Sequence, residues 1–363
     1  MAVESPGGLP PTPQGRRVKS SELAGDDRYS RQSRFWGIGR AGQERIRAGH
    51  VVVVGCGALG SAGVSLLARA GVGRITVVDR DVVEFSNLQR QLLFEEADAV
   101  AGLPKAIAAA RAVARINSDV EVHPSVADVT AANVELFVAG ANVVLDGTDN
   151  FETRYLVNDA CVKHGVPWVY GGAIGSTGMS MTIVPGETAC LRCLFRATPP
   201  AGSMETCETA GVLAAGIVTV AAIQAAEALK ILVGDREHRS RGLIAIDVWS
   251  NDHVQADDAP RDPACPCCRQ RRFDYLDAVA SSRTASLCGR EAIQVSPGQA
   301  QSLDLAGLGR RLEATGPVMV SDFLVRCHVD GHEMTVFADG RAIIKGTADL
   351  AVARSLYARY VGI

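Results

Sequence analysis

Three glycines in one short turn could bind phosphate. Gly55, Gly57 and Gly60 follow the apolar run 51–54 and precede a segment with helical periodicity. Glycine permits a tight turn with close backbone approach, and the start of the next helix presents unpaired N–H groups to an anion. Asp79 lies 19 residues after Gly60, where an acidic side chain can hold a ribose hydroxyl. This spacing predicts a nucleotide site, and a glycine-rich turn without a ligand is the plainer alternative.

The polar residues after Asp79 argue against a nicotinamide or flavin cofactor. Asp81, Asn87 and Arg90 follow it closely, and Lys105 opens the next helical segment. A later predicted strand is followed by three more candidate binding residues, Thr148, Asp149 and Asn150. Arg and Lys neutralise phosphate oxyanions, and a carboxylate can hold Mg²⁺. The pattern therefore favours a phosphate-bearing nucleotide over a redox cofactor.

Each of these residue types also has a structural explanation. A single Arg or Lys is most often an ordinary surface cation, and Asp149 could cap a helix that begins near Phe151. Cys56, within the glycine turn, and Cys161, in a predicted helix, are interpreted as packing residues. The combination of charges at predicted strand and helix ends is what favours a functional site.

Two pairs of cysteines have the spacing of metal ligands. Cys190 and Cys193 form one pair, and Cys265 and Cys268 form the other, each separated by two residues. With no secretory signal predicted, the compartment is expected to be reducing, so metal binding is favoured over disulfides. Four thiolates predict a closed, tetrahedral, structural zinc site. Cys267 is a possible competitor, but its spacing fits less well.

Short apolar strands alternate with helical segments from residue 26 to about residue 170. Alternation of this kind predicts an α/β fold with a doubly wound, mostly parallel, Rossmann-like sheet. Beyond Gly171 the pattern changes and predicts an antiparallel extension of that sheet. From about Thr284 a new set of strand signals and a closing helix predict a small, separate α+β domain.

These patterns predict four regions along the chain. Residues 1–25 form a flexible N-terminal tail, 26–268 the main domain with the zinc site, 269–283 a linker and 284–363 the C-terminal domain. The tail is rich in Pro, Gly and Ser and has no apolar core of a signal peptide, so a cytoplasmic location is expected. The most apolar stretch, 212–223, is shorter than the ~20 residues that span a membrane.

Composition limits the partners. The chain has 363 residues, of which 47% are hydrophobic, so it can build a sizeable core. Its 37 Lys and Arg against 40 Asp and Glu give a net charge of −3. That balance gives no indication of a nucleic-acid partner.

The order of these motifs resembles that of the ThiF/MoeB family of adenylyltransferases, bacterial relatives of ubiquitin-activating enzymes. The resemblance covers residues 26–268. It includes an N-terminal Arg-Tyr-x-Arg-Gln motif that ends at Gln32, the glycine turn and the Asn-Leu-Gln-Arg-Gln motif that ends at Gln91. It also includes the run Gly-x-Pro-Lys that ends at Lys105, the run Thr-Asp-Asn that ends at Asn150, and both cysteine pairs.

The resemblance implies a reaction and roles for individual residues. Members adenylate the C-terminal glycine of a ubiquitin-fold sulfur-carrier protein with ATP and Mg²⁺. By the resemblance, Asp79 and Asp81 contact the ribose side, and Asn87, Arg90 and Lys105 hold the triphosphate. Asp149 would hold Mg²⁺. Arg31 would reach the γ-phosphate of the partner subunit's site, which implies a homodimer.

The carrier and the role of Cys207 stay open in the sequence. In ThiF-type members the matching cysteine is linked to the carrier after adenylation, whereas in MoeB-type members it is dispensable.

A ThiS-like carrier of thiamine thiazole synthesis is the first choice, because residues 284–363 resemble the extra domain of some ThiF proteins. A MoaD-type carrier for molybdopterin or tRNA thiolation is the alternative, and a separate sulfur-donor protein is a further expected partner. A nucleotide-dependent oxidoreductase and a non-catalytic scaffold are the alternatives from other classes.

Overall fold

A computed structural model describes residues 28–196, 210–256, 259–277, 284–286, 292–296 and 303–362. Within these residues the chain forms an eight-stranded sheet and a six-stranded sheet. The larger sheet contains β1 His50–Val54, β2 Arg74–Asp79, β3 Glu121–Val126, β4 Val143–Asp146, β5 Trp168–Ile174, β6 Thr177–Ile183, β7 Leu243–Asp247 and β8 Asp252–Gln255.

The strand order of the larger sheet is β3-β2-β1-β4-β5-β6-β7-β8. The first five strands pair in parallel, and β6, β7 and β8 each pair antiparallel with the preceding strand. The predicted doubly wound sheet with an antiparallel extension is therefore confirmed. Strand β1 is the middle one of the five parallel strands. Its residues Val51–Val54 are buried because helices cover both faces of those strands.

The helices that flank the larger sheet are mostly those that the periodicity predicts. Their bounds are α1 Gly39–Ala48, α2 Ala58–Ala70, α3 Glu96–Val100, α4 Lys105–Ile116, α5 Val134–Val138, α6 Phe151–His164, α7 Leu191–Leu194, α8 Ala214–Val233 and α9 Asp274–Asp277. Helix α2 ends at Gly71, whose φ of 82° suits glycine as a left-handed C-cap. Short 3-10 helices lie at Gln32–Arg34 and Phe85–Asn87.

Helix α8 is 20 residues long with a mean hydropathy of 1.7, so by length and composition alone it could cross a membrane. The expectation that the apolar stretch is too short is thus corrected, because the helix continues past Ile223 to Val233. The helix instead packs on the sheet, and its buried Gln224 donates a hydrogen bond of 2.8 Å to the Asp146 carbonyl. Its buried Glu227 accepts one of 2.8 Å from the Thr182 hydroxyl. These polar contacts are those of a core helix.

The smaller sheet confirms the predicted C-terminal α+β unit. The elements are β9 Thr284–Ser286, β10 Ala292–Val295, α10 Leu305–Leu312, a 3-10 helix Glu313–Thr315, β11 Val318–Val320, β12 Leu324–Val329, β13 His332–Phe337, β14 Ala342–Lys345 and α11 Leu350–Tyr360. The strand order is β11-β12-β13-β14-β10-β9, with every pair antiparallel. A separate core lies between this sheet and helices α10 and α11.

Two stretches differ from their predicted structure. The sequence has helical periodicity from residue 26 to about Gly49, which predicts one helix there. Within the described part of this stretch the structure instead forms a 3-10 turn and the shorter helix α1. Residues 257–272 are polar and rich in cysteine, which predicts a surface boundary before the linker. The structure instead buries Cys265, Cys267 and Phe273 in the core beside α6. Polar composition misleads there, because these three side chains are buried although most of the residues around them are polar.

Candidate active site

The carboxyl ends of β1, β2 and β4 meet at the point where the sheet changes direction. From β1 the chain winds outward through β2 and β3, and then returns to place β4 on the other side of β1. Open α/β sheets bind ligands at such a switch point, because the loops there diverge and leave a crevice. The glycine turn follows β1 and leads into α2, so it lies at this crevice.

The glycines of the turn have different reasons to be glycine. Gly55 has a φ of 84°, and a Cβ on it would lie 2.7 Å from the Gly147 carbonyl oxygen. A Cβ on Gly60 would lie 1.9 Å from the Gly55 carbonyl oxygen. A Cβ on Gly57, by contrast, would find its nearest described atom 3.9 Å away. Packing therefore requires Gly55 and Gly60, whereas Gly57 leaves the backbone open to a ligand at the start of α2.

Asp79 connects the glycine turn to the end of β2. One carboxylate oxygen accepts the Cys56 N–H at 2.6 Å, and the other accepts the Asp81 N–H at 2.7 Å. Burial raises the pKa of Asp79, and the charge of Lys105 opposes that rise. Each oxygen has further lone pairs, so the carboxylate that shapes the turn can also accept from a ribose hydroxyl.

A row of alternating charges extends from Lys105 across the ends of β2 and β3. The buried Lys105 ammonium lies 3.1 Å from a carboxylate oxygen of Asp81, and Arg80 lies 3.9 Å from the other. Arg80 also donates to Asp128 at 3.1 Å. Burial opposes the charge of Arg80, but Asp128, Asp81 and Asp149 outweigh it and raise the pKa of the guanidinium. These cations are held in place before any ligand binds.

The segment after β2 carries buried amides. The Oδ1 atom of Asn87 accepts the Glu84 N–H at 3.1 Å, while its Nδ2 atom is buried without a hydrogen-bond partner among the described residues. Gln91 is also buried, and a Cβ on Gly57 would lie 4.0 Å from its Nε2 atom. Arg90 is half-buried and donates to the Ser86 carbonyl at 2.9 Å. A buried donor without a partner among the described residues is the kind of group that a bound polyanion would satisfy.

The end of β4 is organised by a buried ion pair. The guanidinium of Arg154 lies 3.3 Å from the Asp146 carboxylate, which also accepts from the Thr148 hydroxyl at 2.7 Å. Burial raises the pKa of Asp146 and Arg154 opposes that rise. Asn150 accepts the Thr153 N–H at 2.8 Å and caps α6. The structural alternative for Asp149 is therefore wrong: Asn150 is the cap, and Asp149 is exposed.

Arg31 and the glycine turn lie at opposite ends of helix α2. Gln32, the neighbour of Arg31, donates to the Ala70 carbonyl at 2.8 Å, at the C-terminal end of α2. The glycine turn is at the other end of that helix, and a helix of 13 residues is roughly 20 Å long. Arg31 is exposed, and its place near the C-terminal end of α2 is remote from the crevice of its own chain.

The four predicted metal ligands come together. The sulfur atoms of Cys190, Cys193, Cys265 and Cys268 all lie within 4.8 Å of one another, with neighbouring pairs at 3.5–3.9 Å. Four thiolates at about 2.3 Å from a tetrahedral zinc ion would be about 3.8 Å apart. The donor set thus fits a metal such as zinc. Cys267 is outside the cluster and accepts from the Asn158 amide at 3.3 Å.

Three other cysteines singled out in the sequence, Cys207, Cys56 and Cys161, differ in what the structure shows of them. Cys207 lies outside the described residues, so its predicted role is taken up below as a proposal. Cys56 and Cys161 are buried, and burial raises the pKa of both thiols. A thiol that stays protonated is a poor nucleophile, as expected of packing residues.

With this geometry in view, the sequence profile of the ThiF family matches residues 29–267. The chain belongs to the ThiF family. It is 42% identical over 337 residues to the sulfur carrier protein ThiS adenylyltransferase of Bacillus subtilis, covering 92% of this chain and 99% of the relative. It is 37% identical over 308 residues to the adenylyltransferase and sulfurtransferase MOCS3 of Bos taurus, covering 84% of this chain and 66% of the relative.

A solved relative supports the fold. The structure of E. coli MccB with MccA-N7isoASN aligns with a TM-score of 0.59 at 24% identity, covering 68% of this chain and 75% of that one. At this identity the likeness establishes the ThiF-type architecture alone.

Sequence reasoning missed three charged residues of this ThiF-family site. Arg80 and Asp128 extend the row of charges, and Arg154 organises the end of β4. Arg80 had a detectable signal, because it stands between two candidate aspartates at a strand end. Asp128 and Arg154 had none, because only the tertiary fold brings them to Arg80 and Asp146.

Proposed function

We propose that this ThiF-family chain is a cytoplasmic, ATP-dependent adenylyltransferase that activates the C-terminal glycine of a ubiquitin-fold sulfur-carrier protein. The observation that carries the proposal is the similarity to the Bacillus subtilis enzyme, which extends over both sheets of the molecule. Two features support it: Lys105 and Arg80 both pair with Asp81, and the buried Nδ2 atom of Asn87 has no hydrogen-bond partner among the described residues. A ThiS-like carrier of thiamine thiazole synthesis is the preferred substrate.

The reaction joins the carrier carboxylate to the α-phosphorus of ATP. A carboxylate oxygen forms a bond to that phosphorus, and the bond to the bridging oxygen breaks and releases pyrophosphate with the electron pair. The nucleophile is already ionised, so the step requires no general base. Its main obstacle is repulsion between anions, which preorganised cations reduce. Lys105, Arg90 and the amide of Asn87 are the proposed triphosphate contacts, and Asp79 and Asp81 the ribose contacts.

Thr148, Asp149 and Asn150 are proposed to complete the nucleotide site at the end of β4. Asp149 is the proposed ligand of Mg²⁺, which binds carboxylate and phosphate oxygens and would offset the phosphate charge. Its exposure leaves the carboxylate open to a metal-nucleotide complex. The backbone N–H groups at Gly57 are proposed to approach the phosphates.

Arg31 is proposed to act in a neighbouring subunit, so that a homodimer is the working unit. The supporting observation is its place near the C-terminal end of α2, roughly 20 Å along that helix from the turn of its own chain. Only a second copy can bring such a residue to the phosphates without unfolding the N-terminal segment.

Zinc is proposed to be bound by Cys190, Cys193, Cys265 and Cys268 in a structural role. One pair of these thiols precedes, and the other follows, the long chain segment that contains α8, β7 and β8. A closed four-thiolate site has no open coordination position and takes no part in the reaction. Cys207 is proposed to act after adenylation: its thiolate attacks the carbonyl carbon of the acyl-adenylate, a C–S bond forms, and AMP leaves with the electron pair of the broken C–O bond. A separate sulfur donor is the proposed partner for the sulfur transfer that follows.

A MoaD-type carrier for molybdopterin synthesis or tRNA thiolation is the second candidate, and similarity to the bovine adenylyltransferase and sulfurtransferase favours it. The two candidates differ only in the carrier. Carrier-dependent exchange of labelled pyrophosphate into ATP separates them, with ThiS-like and MoaD-like carriers from the same genome tested in parallel. We expect exchange with the ThiS-like carrier. Exchange with the MoaD-like carrier alone would favour the second candidate, and exchange with neither would contradict both.

A further inference from the structure

The C-terminal sheet packs against the loops that follow β2 and β3. Val82, three residues beyond Asp79, is buried in a small core with Ala292, Leu324, Phe337 and Ile343 of the C-terminal sheet. A Cβ on Gly102, three residues before Lys105, would lie 3.0 Å from the Met319 methyl group of the same sheet. The C-terminal unit therefore contacts both ends of the segment that carries Asn87, Arg90 and Lys105.

One polar connection reaches Asn87. The Lys345 ammonium at the end of β14 forms an ion pair with the Glu84 carboxylate. Glu84 is in turn bonded twice to Asn87, since its N–H donates to Asn87 Oδ1 at 3.1 Å and its carbonyl accepts the Asn87 N–H at 2.9 Å. By holding Glu84 in place, Lys345 therefore also helps to orient the buried side-chain amide of Asn87.

A second connection reaches the row of charges. The buried Gln294 of β10 donates to one oxygen of Asp128 at 2.8 Å, and the other oxygen accepts from Arg80 at 3.1 Å. Arg80 and Lys105 share Asp81. Contacts therefore lead from Gln294 of the C-terminal sheet, through Asp128, Arg80 and Asp81, to Lys105, which is proposed to bind the triphosphate.

We propose that the C-terminal unit is a positioning element of the nucleotide site, in which Lys345 and Gln294 are positioning residues for ATP. They act through Glu84 and Asp128 and do not themselves contact the nucleotide. The inference rests on the proposed function only in taking Asn87, Arg80 and Lys105 as part of the ATP site. It gives the C-terminal unit a task within adenylation, in addition to any contact with the carrier.

The test measures ATP affinity in the full chain with two readouts. Mg-ATP is titrated by calorimetry without carrier, and the KM for ATP is measured in pyrophosphate exchange with carrier. Lys345→Met and Gln294→Met should each raise the Kd and the KM for ATP about five-fold with a smaller change in kcat. Lys345→Arg should restore much of the affinity, because it keeps the positive charge.

Two further variants separate positioning from general packing. Arg359 pairs with Asp330 inside the C-terminal unit, so Arg359→Met should leave the Kd for ATP unchanged. Glu84→Gln should raise the Kd as Lys345→Met does, and the double variant should show little further increase. Folded Lys345→Met and Gln294→Met proteins with wild-type Kd and KM would overturn the inference. Wild-type protein that binds ATP without carrier-dependent exchange would instead contradict the proposed function.

Discussion

The carboxyl ends of β1, β2 and β4 and the four-cysteine cluster both gather reactive side chains, but they differ in what holds those side chains in place. At the strand ends, buried strands and helices fix the backbone, and the charges pair with one another, as Lys105 does with Asp81. The cysteine cluster is formed by loops and by α7, a helix of four residues. There, little regular structure would hold four thiols together without a metal.

This difference indicates that the two regions respond to mutation in opposite ways. A residue can be lost from the strand ends with the fold intact, because the elements that present it are stabilised by apolar packing on both faces of the sheet. Loss of a ligand from the cysteine cluster removes the crosslink itself, so the fold should suffer before the chemistry does.

The largest expected effect is loss of stability at the cysteine cluster. Cys265→Ser should lower the free energy of unfolding by about 4 kcal/mol or more, since loss of a structural metal is among the most damaging changes. Cys267→Ser is the matched control, because Cys267 is a buried neighbour outside the cluster, and it should cost only about 1 kcal/mol. Thermal unfolding with elemental analysis measures both. Absence of zinc from wild-type protein purified without chelator would refute the assignment.

Loss of activity without loss of the fold is expected at the strand ends. Lys105→Ala and Asp149→Ala should each lower the rate of pyrophosphate exchange by ~10²-fold, or about 3 kcal/mol, because each removes a preorganised charge from the phosphate site. Lys163→Ala is the control, since Lys163 pairs with Glu135 on the surface of α6. Circular dichroism and zinc content should stay as in wild type. A variant that unfolds would remove the contrast between the two regions.

Complementation between subunits is the third expected effect. Arg31→Ala and Asp149→Ala proteins should each be inactive, and mixing them equally should restore about a quarter of wild-type activity, since half the dimers are mixed and have one intact site of two. Exchange of differently tagged subunits, verified by native mass spectrometry, is the necessary control. No recovery after complete exchange would count against a site shared between subunits.

The smallest effect on adenylation is expected at Cys207. Cys207→Ala should leave pyrophosphate exchange nearly unchanged, because the step uses only ATP, Mg²⁺ and a carboxylate. Wild-type protein with ATP, carrier and sulfur donor should form a covalent enzyme–carrier adduct that Cys207→Ala lacks. Burial raises the pKa of Cys56 and Cys161, so both should resist alkylation in the folded protein. Peptide mapping that places an adduct on Cys56 would contradict the assignment.

Most of the backbone arrangement at the carboxyl ends of β1 and β2 could be predicted from the sequence, because its signals are local. A run of valines, a glycine turn and an aspartate at the next strand end lie within about thirty residues, the length of one βαβ unit. Helix α10 was missed because Gly307 and Gly309 weaken its propensity, although Leu305, Leu308 and Leu312 have helical spacing.

The cysteine cluster could be predicted because its ligands have a characteristic spacing, but contacts between distant segments without such a spacing could not. The pairing of Gln294 with Asp128 joins residues separated by 166 positions, and neither residue type is unusual in its own surroundings. The packing of Phe273 beside α6 likewise depends on the cysteine cluster that precedes it, and polar composition concealed it. Such contacts appear only after the tertiary fold is known.

Pyrophosphate exchange by Arg90→Ala tests the central claim most directly. Arg90 lies in the proposed phosphate-binding segment but outside the row of paired charges, so its loss should leave those ion pairs intact. Wild-type protein should exchange only with a carrier that keeps its C-terminal glycine. Arg90→Ala protein, with wild-type zinc content and thermal stability, should show ~10²-fold slower exchange with the same carrier. Near-wild-type exchange by the folded variant would contradict the assignment of this end of the sheet as the adenylation site.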